Sequence, residues 1–179
     1  MADSDAGQDL WVDWATYHRL IERLIILVHH SGCTFDQILC LARGGLRVGD
    51  VLSRVFKLPL AILATSSYRE HAGLTQGKLD IAPFITMTQG TLSGRVLLVD
   101  DLADSGETLR GVSQHLLRTY PSIGSIHSAV IWYKACSFVE PDFYVEKLTT
   151  SPWIHQPFEI YDRLNPQDLV EKSAKDLLK

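Results

Sequence analysis

The run Val96-Leu97-Leu98-Val99 leads directly into Asp100-Asp101-Leu102-Ala103-Asp104-Ser105-Gly106-Glu107-Thr108-Leu109, and this stretch restricts the fold more than any other. Four consecutive branched apolar residues suit a strand covered on both faces, as in a parallel sheet wrapped by helices. Ser105-Gly106-Glu107-Thr108, followed by Leu109, Val112, Leu116 and Leu117, suits the start of an amphipathic helix. In open α/β sheets, ligands gather at the carboxyl ends of the strands. The first backbone N–H groups of the next helix have no intrahelical partner and can grip a phosphate. Ser105, Gly106 and Thr108 are the gripping residues. Asp100 and Asp101 repel an anion, but they can accept hydrogen bonds from vicinal hydroxyls or hold Mg²⁺ through water. Phosphate, diol and magnesium together describe a ribose phosphate.

A chain of 179 residues is long enough for one domain with its own core, and residues 1–179 are read as a single domain. At 46% hydrophobic, 21% charged and net charge −4, the composition is that of a soluble globular protein. No Lys/Arg run marks a nucleic-acid face, so anionic ligands must be held by a local arrangement. The purely apolar runs, such as Leu24 to Val28, are too short to span a bilayer, and the polar start Met1 to Asp9 lacks the pattern of a signal peptide. The expected location is cytoplasmic, with no nucleic-acid or membrane partner. Cys33, Cys40 and Cys136 are odd in number and lack metal-ligand spacing, which predicts reduced, packed thiols.

Apolar positions Trp14, Tyr17, Leu20, Ile21, Leu24, Ile25 and Val28 recur at helical spacing and predict an opening helix between Asp13 and His30. Strands are expected at Gln37 to Ala42, Leu60 to Thr65, Arg95 to Asp100, Ile126 to Trp132 and Asp142 to Glu146, with helices at about Leu46 to Phe56 and Thr108 to Tyr120. This alternation gives an α/β fold, a mainly parallel twisted sheet flanked by helices. Asn165 as N-cap, with Pro166 at the first helical position, predicts a terminal helix to about Leu178. Two other segments carry chemistry. Arg43-Gly44-Gly45 opens the first strand-to-helix turn, where glycines let the backbone approach a ligand and Arg43 offers a forked cation. The polar connection at about residues 66–80 is long enough to serve as a mobile lid, although composition alone also allows a solvated hairpin loop.

The segment from Val96 to Thr108 resembles the phosphoribosyl-pyrophosphate (PRPP) binding motif of the type I phosphoribosyltransferases. Response-regulator receivers also carry an acidic pair after a strand, but near the start of the domain, whereas this pair lies beyond mid-chain. The resemblance covers about residues 35–160 and is nearest to the xanthine–guanine and hypoxanthine–guanine phosphoribosyltransferases of bacteria and archaea. It implies that Asp100, Asp101, Ala103, Asp104, Ser105, Gly106, Glu107 and Thr108 bind the ribose phosphate, and that Arg43 and Gly44 bind the pyrophosphate. Ser67, Tyr68 and Arg69 are similar to the loop that closes over 6-oxopurine sites. A base-binding hood at about residues 134–162 follows: Lys134 donates to a purine 6-oxo group, Trp153 stacks on the ring, and the backbone at Ile154 reads the 2-substituent. Taken singly, a lysine at a strand end is usually solvated and a tryptophan usually fills core.

The implied activity moves the 5-phosphoribosyl group from PRPP to a 6-oxopurine, releases pyrophosphate and forms a nucleoside 5′-monophosphate. Asp104 matches an acid beside purine N7 that takes the proton, although capping the helix that follows would also suit an aspartate there. The implied cofactor is Mg²⁺, held by Asp100 and Asp101, with Glu159 at the position of a further metal-binding acid. PRPP, a purine base and further copies of the chain, in a dimer or tetramer, are the implied partners. At His155 the chain departs from the pattern, which commonly has an acid there, and the choice among xanthine, guanine and hypoxanthine stays open. Three rival readings are a PRPP-dependent enzyme for another nucleobase, a non-catalytic regulator that senses PRPP or nucleotides on the same fold, and a generic sugar-phosphate-binding α/β domain, which explains neither the Arg43 loop nor the Trp153 segment.

Overall fold

The structure, a computed structural model, describes residues 9–67, 79–88 and 90–176. The described residues fall into two compact units, one formed by residues 20–151 and the other by residues 9–19 together with 152–176.

In the larger unit, the apolar run around Val96 is the strand β5 (Gly94–Val99), and its last four residues are buried. It lies between β2 (Gln37–Ala42) and β7 (Ile123–Lys134) with parallel pairing on both sides, Cys40 opposite Val99 and Val99 opposite Ala129. β3 (Leu60–Ser67) pairs parallel to β2, and β8 (Phe143–Leu148) and the short β6 (Leu102–Ala103) pair parallel to β7. β4 (Leu79–Ile81) closes the far edge antiparallel to β3. The result is a seven-stranded, mainly parallel sheet flanked by helices, as the sequence predicts. Ser66 and Ser67 belong to β3, and Leu79 and Asp80 to β4, so the connection between these strands is residues 68–78.

Helix α2 (Leu46–Phe56) directs Val48, Gly49 and Leu52 inward, and helix α3 (Glu107–Thr119) does the same with Leu109, Val112 and Leu116. The α3 residues join Leu39, Leu41, Leu63, Val96 and Leu98 in one continuous apolar core. Gly49 fits directly against Cys40, whose Cβ would collide with any Cβ at 49. Burying each leucine contributes about 1.5–3 kcal/mol, which is why the strands at the centre of the sheet read as unbroken hydrophobic runs. Burial pushes the Cys40 thiol up to about 11. Cys33 and Cys136 are exposed, so the expectation of packed thiols holds for Cys40 alone.

At the amino ends of β2 and β5, Asp36 accepts from the Arg95 backbone N–H at 2.8 Å and pairs with the Arg95 guanidinium at 2.8 Å. This knot fixes the start of two adjacent parallel strands, so their carboxyl ends emerge side by side.

Helix α1 (Trp14–His30) begins in the smaller unit and ends in the larger one. Asp13 caps it by accepting from Thr16 N–H at 2.7 Å, and Tyr17, Leu20, Ile21, Leu24 and Val28 form its buried stripe. The smaller unit also contains a parallel pair too short to show in a hydrophobic pattern, β1 (Leu10–Trp11) with β9 (Ile154–His155). A 3-10 helix (Glu159–Arg163) and helix α4 (Pro166–Asp176) follow. Asn165 and Asp168 cap α4 reciprocally: the Asn165 side-chain oxygen accepts from Gln167 and Asp168 N–H, and the Asp168 carboxylate accepts from Asn165 N–H at 2.8 Å.

Candidate active site

Because β2 and β5 run parallel and in register, the turns that follow them meet at one edge of the sheet. Asp100 and Asp101 follow β5, and Arg43-Gly44-Gly45 follows β2. The Ala42–Arg43 peptide is cis. A Cβ on Gly44 would reach Asp101 Cγ at 2.7 Å, and one on Gly45 would reach the Val99 carbonyl oxygen at 2.6 Å and Asp100 Cα at 2.9 Å. At Gly45 the obstruction is backbone and only glycine fits, whereas at Gly44 a side chain would have to displace the Asp101 carboxylate, so the Arg43 loop is held directly against the acid pair. Arg43 and Arg47 are exposed beside it.

The acid pair is electrostatically tense. Burial, and then the charge of the Asp101 carboxylate, push the Asp100 carboxyl well above the usual carboxylate range, opposed by backbone N–H donors of Asp101 and Gly45. The Asp101 N–H donates to Asp100 Oδ1 at 3.0 Å. The Asp101 carbonyl accepts from Ile131 and Trp132 N–H at 3.0 and 3.2 Å, which ties the turn to β7. A pair of hard oxygen donors fits magnesium, which commonly takes one or two carboxylates and completes its shell with water and substrate oxygens. Among the described residues there is no cluster of three or more His, Cys, Asp or Glu that could hold a metal ion.

Leu102 and Ala103 form β6 on β7, and the chain then turns through Asp104, Ser105 and Gly106 into α3. Gly106 is the N-cap residue, with φ 86°, and a Cβ there would meet Ser137 Oγ at 2.5 Å and Val139 N at 2.9 Å. The cap residue therefore places no side chain over the first N–H groups of the helix, and Ser105 Oγ accepts from Glu107 N–H at 3.3 Å. Thr108 lies in the first turn. This is the geometry of an anion site.

Helix capping does not account for Asp104, because α3 begins at Glu107 with Gly106 as its cap. The Asp104 carboxylate instead lies 3.2 Å from Lys134 Nζ at the end of β7, and the Lys134 side chain is only 7% exposed. Residue type and spacing alone do not show that these two residues touch. The segment after Lys134 packs on the same turn. There Phe138 N–H donates to the Ser105 carbonyl at 3.1 Å, and Cys136 Sγ contacts the Asp104 carbonyl at 3.6 Å. A small-residue run such as Ala135-Cys136-Ser137 carries no signal for this role.

Arg43, Gly44, Asp100, Asp101, Ala103, Asp104, Ser105, Gly106, Glu107, Thr108 and Lys134 thus all stand at the carboxyl edge of one sheet. Ser67 ends β3 at the same edge, whereas Tyr68 and Arg69 lie outside the described residues. Trp153, Ile154 and Glu159 belong to the smaller unit, where Trp153 is 52% exposed, Ile154 is buried and Glu159 opens the 3-10 helix.

A parallel sheet whose carboxyl edge gathers an acid pair, a glycine loop and an open helix N-terminus defines an α/β protein built to hold a phosphorylated sugar. Residues 13–163 match the phosphoribosyl transferase domain family, and the chain belongs to it. Its chemistry is the transfer of a phosphoribosyl group. Among solved structures, the purine phosphoribosyltransferase from Pyrococcus horikoshii Ot3 is 28% identical, with TM-score 0.69 over 85% of this chain and 95% of that one. The Helicobacter pylori xanthine-guanine-hypoxanthine phosphoribosyltransferase shares the fold at 22% identity, with TM-score 0.71 over 87% of this chain and 97% of that one. The orotate phosphoribosyltransferase from Aeropyrum pernix also shares it, at 18% identity and TM-score 0.55 over 86% of this chain and 80% of that one. Structures named for different bases thus share this fold.

Proposed function

We propose that this protein transfers the 5-phosphoribosyl group of PRPP to a 6-oxopurine, xanthine, guanine or hypoxanthine, releasing pyrophosphate and forming the nucleoside 5′-monophosphate. The observation that carries the reading is the contact between Lys134 and Asp104 beside the phosphate turn. It provides a buried cation for an exocyclic oxygen and an adjacent carboxylate for a ring N–H proton. The relation to a purine enzyme at 28% identity supports the same class of base.

In this reading Ser105, Gly106, Glu107 and Thr108 take the 5′-phosphate through backbone N–H groups and hydroxyls, and Asp100 and Asp101 accept from the ribose hydroxyls. Arg43 and Gly44 take the pyrophosphate. A purine ring nitrogen attacks the anomeric carbon as the bond to the pyrophosphate oxygen breaks, and Asp104 accepts the proton that the ring gives up. Asp100 and Asp101 would hold Mg²⁺, whose positive charge would offset that of the leaving pyrophosphate, and Glu159 is a further candidate acid for the metal. Lys134 donates to the 6-oxo oxygen, Trp153 stacks on the ring and the backbone at Ile154 reads the 2-substituent. The working form is a cytoplasmic homo-oligomer.

Steady-state kinetics of two variants test the assignment. Asp104→Asn is expected to lower kcat about 100-fold or more with little change in the KM for PRPP. Lys134→Ala is expected to raise the KM of the base about 10-fold or more, and that of PRPP far less. An unchanged kcat for the first, or equal effects on both substrates for the second, would remove the corresponding role.

A further inference from the structure

His155, in the short strand β9, is engaged from two sides. Its ring stacks on Trp11 with centroids 3.7 Å apart and planes within 15°. Its Nε2 lies 2.9 Å from Asp9 Oδ2. A carboxylate only accepts, so Nε2 carries the hydrogen. Trp11 is 74% exposed, so burial in a core does not hold that ring in place.

These contacts surround the shortest kind of strand pair. β1 and β9 are joined by Leu10 N–H to the Trp153 carbonyl at 2.8 Å and Val12 N–H to the His155 carbonyl at 3.0 Å. So short a pairing is marginal by itself in water, and the Asp9–His155–Trp11 contacts clamp it. The pairing has a directional consequence. The Trp153 and His155 carbonyls face β1, so by the two-residue alternation of an extended chain the Ile154 carbonyl faces away from β1. Trp11, Trp153 and His155 also line one cavity of about 580 Å³.

We propose that His155, clamped by Asp9 and Trp11, is a positioning residue that sets the Trp153 ring and the Ile154 backbone for the purine base. This rests on the purine reading above. The side-chain chemistry favours histidine here. A carboxylate at 155 would oppose Asp9 with like charge and give Trp11 no ring to stack on, whereas an imidazole satisfies both neighbours. Residues 9–11 therefore contribute to base affinity through His155, without contacting the base.

The test compares Trp11→Ala, His155→Ala, His155→Glu and the Trp11→Ala/His155→Ala double variant by two readouts. The first is amide hydrogen exchange at Leu10 and Val12, which is expected to quicken about 10-fold or more in each variant. The second is the KM split, with the KM of the base rising about 5- to 20-fold and that of PRPP changing less than about 2-fold. The double variant should be no worse than the worse single one, because both changes break one contact. Unchanged exchange at Leu10 and Val12 overturns the clamp whether or not the protein turns over. Faster exchange with an unchanged base KM, or with both KM values rising together, overturns the positioning role. If the wild type turns over no 6-oxopurine, the purine reading and the positioning role fall together, and the exchange rates still decide whether the clamp exists.

Discussion

Asp100 sits where adjacent carboxylates share one turn, and its raised proton affinity has a definite sign in folding. A carboxyl that binds its proton more tightly when folded destabilises the fold once ionised. The cost is absent below the ordinary value of 3.8 and grows as pH rises through the folded value. Asp100→Asn, measured by thermal unfolding without Mg²⁺, is therefore expected to raise Tm by a few °C at neutral pH, and the gain should vanish near pH 3. A Tm that falls at neutral pH would show that the Asp100 charge is compensated by groups other than those named. The acids at 100, 101 and 104 are visible in sequence because their chemistry is carried by residue type and local spacing. The pairing of Asp104 with Lys134 was not visible, because it depends on how far β7 runs before it ends, and the strand continues through Tyr133 and Lys134 past the expected Trp132.

Among the elements, β2 and α2 have the bounds the sequence predicts, because a buried run and an amphipathic stripe each end on a clear signal, Gly44-Gly45 between them and Leu58-Pro59 after. β1, β6 and β9 are two residues each, too short for any period; β6 forms on the long strand β7, and β1 and β9 pair only with each other. The phosphate turn depends on Gly106. Alanine at φ 86° costs about 1–2 kcal/mol, and its Cβ would also press on Ser137 and Val139. Gly106→Ala is expected to lower Tm by about 5 °C and to weaken PRPP binding by calorimetry, whereas wild-type values for both would show that the turn tolerates a side chain. At the other end of the same strands, Arg95 lowers the Asp36 carboxyl to about 2. The stability this provides is complete above pH 3.8 and is lost as pH falls through 2. Asp36→Asn should therefore be less stable than wild type at pH 7 and converge with it as pH drops from 4 to 2, with activity kept because the knot lies at the amino ends of the strands. A stability gap that does not change with pH would contradict this.

For the molecule as a whole, the parallel α/β architecture was legible because its central strands are uniformly apolar and its helices are striped. The division into two compact units was not, because the smaller one joins residues from the two ends of the chain and no linker composition marks it. Among the described residues, no helix is long and apolar enough to cross a membrane. In the proposed reading, the phosphoribosyl chemistry rests on the edge where β2, β5 and α3 meet, and the choice of base on Lys134, Trp153 and Ile154. The most direct test is to incubate the purified protein with PRPP and Mg²⁺ against hypoxanthine, guanine, xanthine, adenine, uracil and orotate separately, measuring the nucleotide and pyrophosphate formed. Stoichiometric nucleotide and pyrophosphate from one or more of the 6-oxopurines, and none from the other three bases, is the predicted result. Turnover confined to adenine, uracil or orotate, or PRPP binding with no turnover on any base, would contradict the account.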